Sequence, residues 1–372
     1  MEYNHMAELG LTADKQLLCT DTGFVTRNNP VRDICDRLIR DGGKLYDLMA
    51  RYESVVSYTL SRDEETKSAA WMMIPFLKAN GAIDEDIYRF SRERLTFMPG
   101  AEKVLDYLHK QLPTYLASSN YEQSIIDLSE RTSFPMDHAT FNTFAFDSVE
   151  MDRQQARDIR QMAERFTKLR LPSEMYTVTG SRFLGEDDAA LLTLGDEYVK
   201  EFLPKLDISE KMRSTASVSS SEEALALLEI IRKTGIGMDE TAVIGTKSSD
   251  YETLDLVKDS SGLSVSFNGD EYTVRGCNIA VMSDRPITAA VLVNEFYNGG
   301  IESVFEMADG WSREYLEQHA CCDRNLMNRF LETYPKNLPK VCRVTKKNVK
   351  NVIEDSVAFR RKAYDPKRLA VY

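Results

Sequence analysis

TAVIGTKSSDYETLDLVKDSSGLSVSFNGDEYTVRGCNIAVM, from Thr241 to Met282, carries the densest structural signal in the chain. It holds three strand-like stretches in quick order: Thr241–Gly245 (TAVIG), Leu263–Phe267 (LSVSF) and Asn278–Met282 (NIAVM). Runs this short that stop abruptly fit buried strands. Between the first two, Tyr251 to Lys258 has helical spacing. Strands alternating with helices predict a parallel, doubly wound α/β sheet.

Two more strands are read upstream. Lys15 to Asp21 (KQLLCTD) is an apolar run that ends in an acid, and Thr114 to Ala117 (TYLA) runs into Ser118-Ser119-Asn120. Ala101 to Leu112 places Val104, Leu105, Leu108 and Leu112 on one helical side before Pro113 stops it. Val31 to Met49 reads as one helix, and further helices run to about Leu95, with Trp71 to Phe76 as a packing cluster. Residues 131–213 mix acidic helices with loops. A helix with Ser221 as its cap is expected to run to Thr234, where Gly235 stops it. From Ile301 onward the pattern is helical, broken near Pro335 and Pro339.

An open parallel sheet binds ligands beyond the carboxyl ends of its strands. Asp21, the pair Ser118-Ser119, and the loop Gly245-Thr246-Lys247-Ser248-Ser249-Asp250 should therefore converge at one rim.

That set resembles the haloacid dehalogenase (HAD) superfamily. Met98–Gln123 (MPGAEKVLDYLHKQLPTYLASSNYEQ) is similar to that family's approach to its second motif, and Ile244–Ser283 to its fourth motif and the strands beyond. Within the superfamily, the chain looks most like archaeal proteins labelled energy-converting hydrogenase A subunit R or HAD-like. The resemblance implies a Rossmann-type core made of residues 14–30, 96–130 and 214–300. It also implies a helical cap (31–95), a second insertion (131–213) and a helical, basic extension (301–372). It makes Asp21 the nucleophile, Ser118 the hydroxyl that steadies a phosphoryl oxygen, and Asp250 a magnesium ligand beside Asp21. Thr22, Gly23, Ser119 and Thr246 would then line the substrate.

The departures from the pattern are as informative. The second acid of the D-x-D motif is Gly23 here; general acid–base help is worth about 10²–10⁴ in rate, and glycine supplies none. The first acid of the fourth motif is Thr246. The position of the family's lysine, near the start of the Ser221 helix, carries Glu222 and Glu223. Magnesium, if held, would be held weakly by Asp21, the Gly23 carbonyl and Asp250. Lys247 is an addition whose ammonium could stand where the metal or the missing lysine would be; the plainer reading is a surface lysine. Asp21, Ser118 and Asp250 also have plainer readings, as groups that satisfy local backbone.

Three functions follow from this. The first is a phosphatase-like protein with a degraded site, which binds a ligand or partner and hydrolyses weakly or not at all. The second is an active hydrolase of phosphate esters with Asp21 as nucleophile and magnesium as cofactor, with carbon–halogen cleavage as a variant. The third is an assembly or regulatory subunit whose insertions dock a protein partner.

Charge bounds these readings. The net charge of −12 disfavours nucleic acid, which needs a basic face. The tail from Lys340 to Tyr372 reverses the sign, with ten Lys or Arg against three acids; a solvated helix, or contact with an acidic partner, RNA or a membrane surface, are its readings. There is no apolar run long enough to span a membrane, and Met1 to Lys15 does not read as a secretion signal, so the cytoplasm is the expected location. The six cysteines show no C-x-x-C pair and are expected to be free thiols. His319, Cys321, Cys322 and Cys342 have poor spacing for zinc, since two of the cysteines are adjacent.

Overall fold

The computed structural model describes residues 14–59, 67–171 and 185–363. Its centre is a seven-stranded sheet of order β3-β2-β1-β4-β5-β6-β7. The strands are β1 (Gln16–Thr20), β2 (Thr114–Tyr121), β3 (Ala139–Asn142), β4 (Thr241–Gly245), β5 (Leu263–Phe267), β6 (Ile279–Met282) and β7 (Lys340–Arg343). β1 to β6 pair in parallel and β7 pairs antiparallel with β6. The expected α/β class holds, with one antiparallel edge.

Alternation along each strand explains the two covered faces. Leu17 and Cys19 of β1 join Leu116, Ala242, Ile244 and Val265 in one core, under helices α5 (Ala101–Gln111) and α13 (Ile287–Asp309). Leu18, Ala117 and Val243 point the other way, onto α10 (Ser220–Thr234) and α11 (Tyr251–Asp259). A strand buried on both faces reads as a continuous apolar run, which is why β1 and β4 are legible; β5 instead alternates apolar residues with the buried Ser264 and Ser266.

The helices between β1 and α5 are α1 (Pro30–Leu38), α2 (Gly42–Ser54), α3 (Ala69–Ala79) and α4 (Asp84–Arg94). After β2 come α6 (Glu122–Thr132), then α7 (Arg153–Lys168), α8 (Glu186–Asp196) and α9 (Ile208–Arg213). Residues of α1–α3 and α7–α9 share one apolar core, in which Phe76 stacks on Tyr198 with ring centroids 5.0 Å apart. The two segments that interrupt the sheet thus build a single helical body over its rim. The Trp71–Phe76 cluster is buried there as expected.

Several local readings need correction. Val31 to Met49 is two helices, not one: the chain turns at Asp41, whose φ of 56° is left-handed, and restarts at Gly42. The cap of α10 is Ser219, not Ser221; Glu222 reaches back to it as the third helical residue, which closes a capping box. The sequence pattern does not mark β3 or β7. Both are four-residue edge strands with mixed polarity, so neither leaves an apolar run.

The remaining elements are α12 (Glu271–Gly276), α14 (Arg313–His319), α15 (Arg324–Thr333) and α16 (Val349–Ala363). No helix among the described residues is long and apolar enough to cross a membrane. The six cysteines are free thiols, and no cluster of His, Cys, Asp or Glu able to hold a metal occurs among the described residues.

Candidate functional site

The strand order reverses between β1 and β4, because β2 follows β1 on one side while β5 follows β4 on the other. Such a switch point leaves a crevice at the carboxyl ends of the two central strands. Asp21 follows β1 there, Ser118 and Ser119 lie in the carboxyl-terminal half of β2, and Thr246, Lys247 and Asp250 follow β4.

Asp21 follows β1 directly and is 1% exposed. Its Oδ1 accepts the Thr22 amide at 2.7 Å. Its Oδ2 accepts the Ser118 hydroxyl at 2.8 Å and the Asn120 amide at 2.6 Å. The carboxylate is thus fixed from β1 and β2 together. Asn120, which the sequence reading did not select, also donates to the Thr22 hydroxyl at 3.1 Å; its only signal was its place after the Ser118-Ser119 pair.

Gly23 is held in a tight turn, with its amide on the Thr26 carbonyl at 2.7 Å. Its φ of 90° suits glycine alone. A Cβ there would stand 3.0 Å from the Thr246 Oγ1. Thr246 in turn donates to the Thr22 carbonyl at 2.6 Å. Gly23 and Thr246 are therefore one packed contact, and a side chain at position 23 would need Thr246 to give way and a strained backbone.

The β4 loop is organised by Asp250, which is fully buried. Its Oδ2 accepts the amides of Thr246 at 2.6 Å and Lys247 at 3.1 Å. Burial raises its pKa, while Lys247 and these two amides oppose the rise. Glu223, from the first turn of α10, faces it. Burial and then the Asp250 charge push the Glu223 carboxyl well above its ordinary range. Asp250 has the amide donors, so Glu223 is the member of the pair that takes the proton.

Lys247 is not a surface lysine: it is 9% exposed, and its ammonium donates to the Ser119 hydroxyl at 2.7 Å. Burial alone would lower its pKa. Asp250, Glu223, Asp21 and Glu53 outweigh burial and raise it above its ordinary value. The lysine gives Ser119 a hydrogen bond and brings positive charge to the crevice.

The helical body closes the crevice. Ser54, the last residue of α2, shares a 2.8 Å hydrogen bond with Ser248. Lys67 pairs with Glu222 at 3.2 Å, and the Tyr121 hydroxyl donates to the Ala70 carbonyl at 2.6 Å. Glu53 accepts the Ala69 amide at 2.8 Å. Burial pushes the Glu53 carboxyl up to about 7, with Lys247 and the Ala69 amide pulling the other way. Glu53, Ser54, Ser119 and Lys247 help to line an enclosed cavity of about 20 Å³. That is room for about one water.

Magnesium needs a near-octahedral set of oxygens, usually with carboxylates among them. Here two acid positions are Gly23 and Thr246, both Asp250 oxygens are engaged by amides or the Ser249 hydroxyl, and a lysine ammonium stands nearby. The donor set does not fit that ion.

No family model and no curated protein matches the chain. A solved structure described as a gene product of Archaeoglobus fulgidus superposes with a TM-score of 0.75 at 16% identity, covering 95% of this chain and 97% of that one. At that identity the likeness shows a shared fold and nothing further. A phosphoserine phosphatase in apo form aligns with a TM-score of 0.39 at 13% identity, over 73% of this chain and 94% of its own. A probable phosphoserine phosphatase from Vibrio cholerae, unliganded, gives a TM-score of 0.39 at 16% identity, over 80% and 67% of the two chains. Scores this low carry no argument about the site.

Proposed function

We propose that the chain is a HAD-type protein whose site has exchanged catalytic groups for internal charge balance, and that it binds a small ligand or a protein partner with weak or no hydrolysis. The observation that carries this reading is Lys247, a buried cation set among Asp250, Glu223, Asp21 and Glu53. A phosphatase of this type needs an acid for the leaving oxygen and a metal for the phosphoryl charge. Here the acid's position is filled by Thr246 packing on Gly23, and a lysine supplies positive charge. A ligand reaches Asp21 only if the helical body lifts, so the ligand must recover the cost of breaking the Ser54–Ser248 and Lys67–Glu222 contacts.

A second reading is favoured by the fixed Asp21 carboxylate. Asp21 attacks phosphorus, the ester oxygen leaves, and an aspartyl phosphate forms. Lys247, Ser118 and Ser119 would stabilise the phosphoryl oxygens. The leaving alkoxide would take its proton from water, which limits this route to good leaving groups.

Phosphate release from a panel of small phosphate esters, with and without magnesium, separates the readings when wild type is set beside Asp21→Asn. The proposed function expects release at or near background and no gain from magnesium. Release well above background that Asp21→Asn abolishes would establish the hydrolase instead.

A further inference from the structure

The basic C-terminal segment reads in sequence as a solvated helix, yet one of its arginines is buried at the site. Arg360 of α16 is 3% exposed. Its Nη1 donates to the Thr246 carbonyl at 2.5 Å and to the Asn268 carbonyl at 2.6 Å. These carbonyls lie just beyond β4 and β5. One turn earlier, the Ser356 hydroxyl donates to the Gly269 carbonyl at 2.7 Å. On its inner side α16 packs Val352, Ile353 and Val357 against Val274, Ala280 and Met282. The end of the helix meets the loop after β1, where Arg27 donates to the Ala363 carbonyl at 3.3 Å.

The peptide between Thr246 and Lys247 is consequently held at both ends. Its oxygen lies on the Arg360 guanidinium, and its N–H lies on the Asp250 carboxylate at 3.1 Å. A cation at the carbonyl and an anion at the amide both favour the same orientation of the peptide dipole, so each contact strengthens the other. This peptide carries the Lys247 side chain. The guanidinium is itself balanced by Asp270, whose carboxyl is raised by burial and drawn back down by Arg360.

We propose that Arg360 is a positioning residue of the site: by fixing the 246–247 peptide it sets where the Lys247 ammonium lies, which makes the C-terminal helix part of the site. The proposal builds on the reading of Lys247 as the site's cation but needs no ligand or turnover. A planar guanidinium suits two carbonyls better than an ammonium does, so lysine is an incomplete replacement.

The test is the rate at which acetic anhydride acylates Lys247 in the folded full-length chain, read by mass spectrometry against the exposed Lys110. Hydrogen bonds to a charged group are worth about 1.5–3 kcal/mol, so Arg360→Ala is expected to speed Lys247 acylation by about tenfold or more and leave Lys110 unchanged. About 20 mM guanidinium chloride, far below denaturing concentrations, should slow it again by refilling the vacated place, and sodium chloride should not. If Arg360→Ala does not fold, Arg360→Lys is expected to give a smaller rise of about threefold. Lys247 acylation unchanged in a folded Arg360 variant would overturn the proposal, as would a rise that guanidinium fails to reverse. The phosphate-release panel is independent of this outcome, so either conclusion can fail alone.

Discussion

Leu17, Ala242, Val265 and Phe267 inside the strands, and Asp21, Thr246 and Asp250 just beyond strand ends, are all exposed by 1% or less. Equal burial hides opposite physics. The strand interiors lose apolar surface to packing, and Phe267 sets its ring edge-to-face on Phe24 at 5.4 Å. The rim buries carboxylates and a lysine, which are costly to take out of water and are tolerated only because each is hydrogen-bonded or balanced. The interior is therefore insensitive to pH, and the rim is not.

The largest expected effect lies in the interior. Phe267→Ala should cost about 4 kcal/mol in urea unfolding, through lost transfer energy and the cavity left behind. That loss should be the same at pH 5 and pH 8. A strong pH dependence would break the contrast.

Lys247→Met should cost about 3 kcal/mol at pH 8, because it leaves buried carboxylates without their cation. At pH 5 the loss should be smaller, since Glu53 then holds a proton. Equal losses at both pH values would mean that Lys247 acts by packing alone.

Glu53 gives the same contrast with the opposite sign. Its carboxyl is raised from 4.5 to about 7, so the folded state holds the proton more tightly than the unfolded state does. Its burial costs nothing below about pH 4.5, and the cost grows as pH rises to about 7. Glu53→Gln should therefore leave stability unchanged at pH 4.5 and raise it by about 3 kcal/mol at pH 8, on the scale of 1.36 kcal/mol per pKa unit. A variant that follows the wild-type pH profile would remove Glu53 from the account.

The smallest effect concerns the glycine. Gly23→Ala should cost about 2 kcal/mol, from a left-handed backbone and the contact with Thr246. In a Thr246→Ala background the same change should cost about 0.5–1 kcal/mol less, as expected for touching residues. Strict additivity would mean that Thr246 does not fill the position.

The contrast also explains what the sequence revealed. β1 and β4 are apolar runs because both their faces are covered, and Asp21 and Asp250 could be placed by their positions after strands; Ser118 lies inside β2, which runs past the expected end at Ala117 to Tyr121. Edge strands β3 and β7 leave no such run. The charge balance of Lys247 was illegible because it involves Glu53 from α2 and Glu223 from α10, which only the folded structure brings near. Arg360 was hidden for a similar reason: within a basic stretch, nothing in the local pattern marks which arginine turns inward.

Manganese binding, followed by electron paramagnetic resonance at about 1 mM metal, tests the exchange of metal for lysine most directly. The account predicts that wild type leaves the free-ion signal unchanged and that Lys247→Ala, which removes the positive charge beside Asp250 and Asp21, reduces it. Binding by wild type that Asp21→Asn abolishes would contradict it, because the site would then hold a divalent ion with Lys247 still in place.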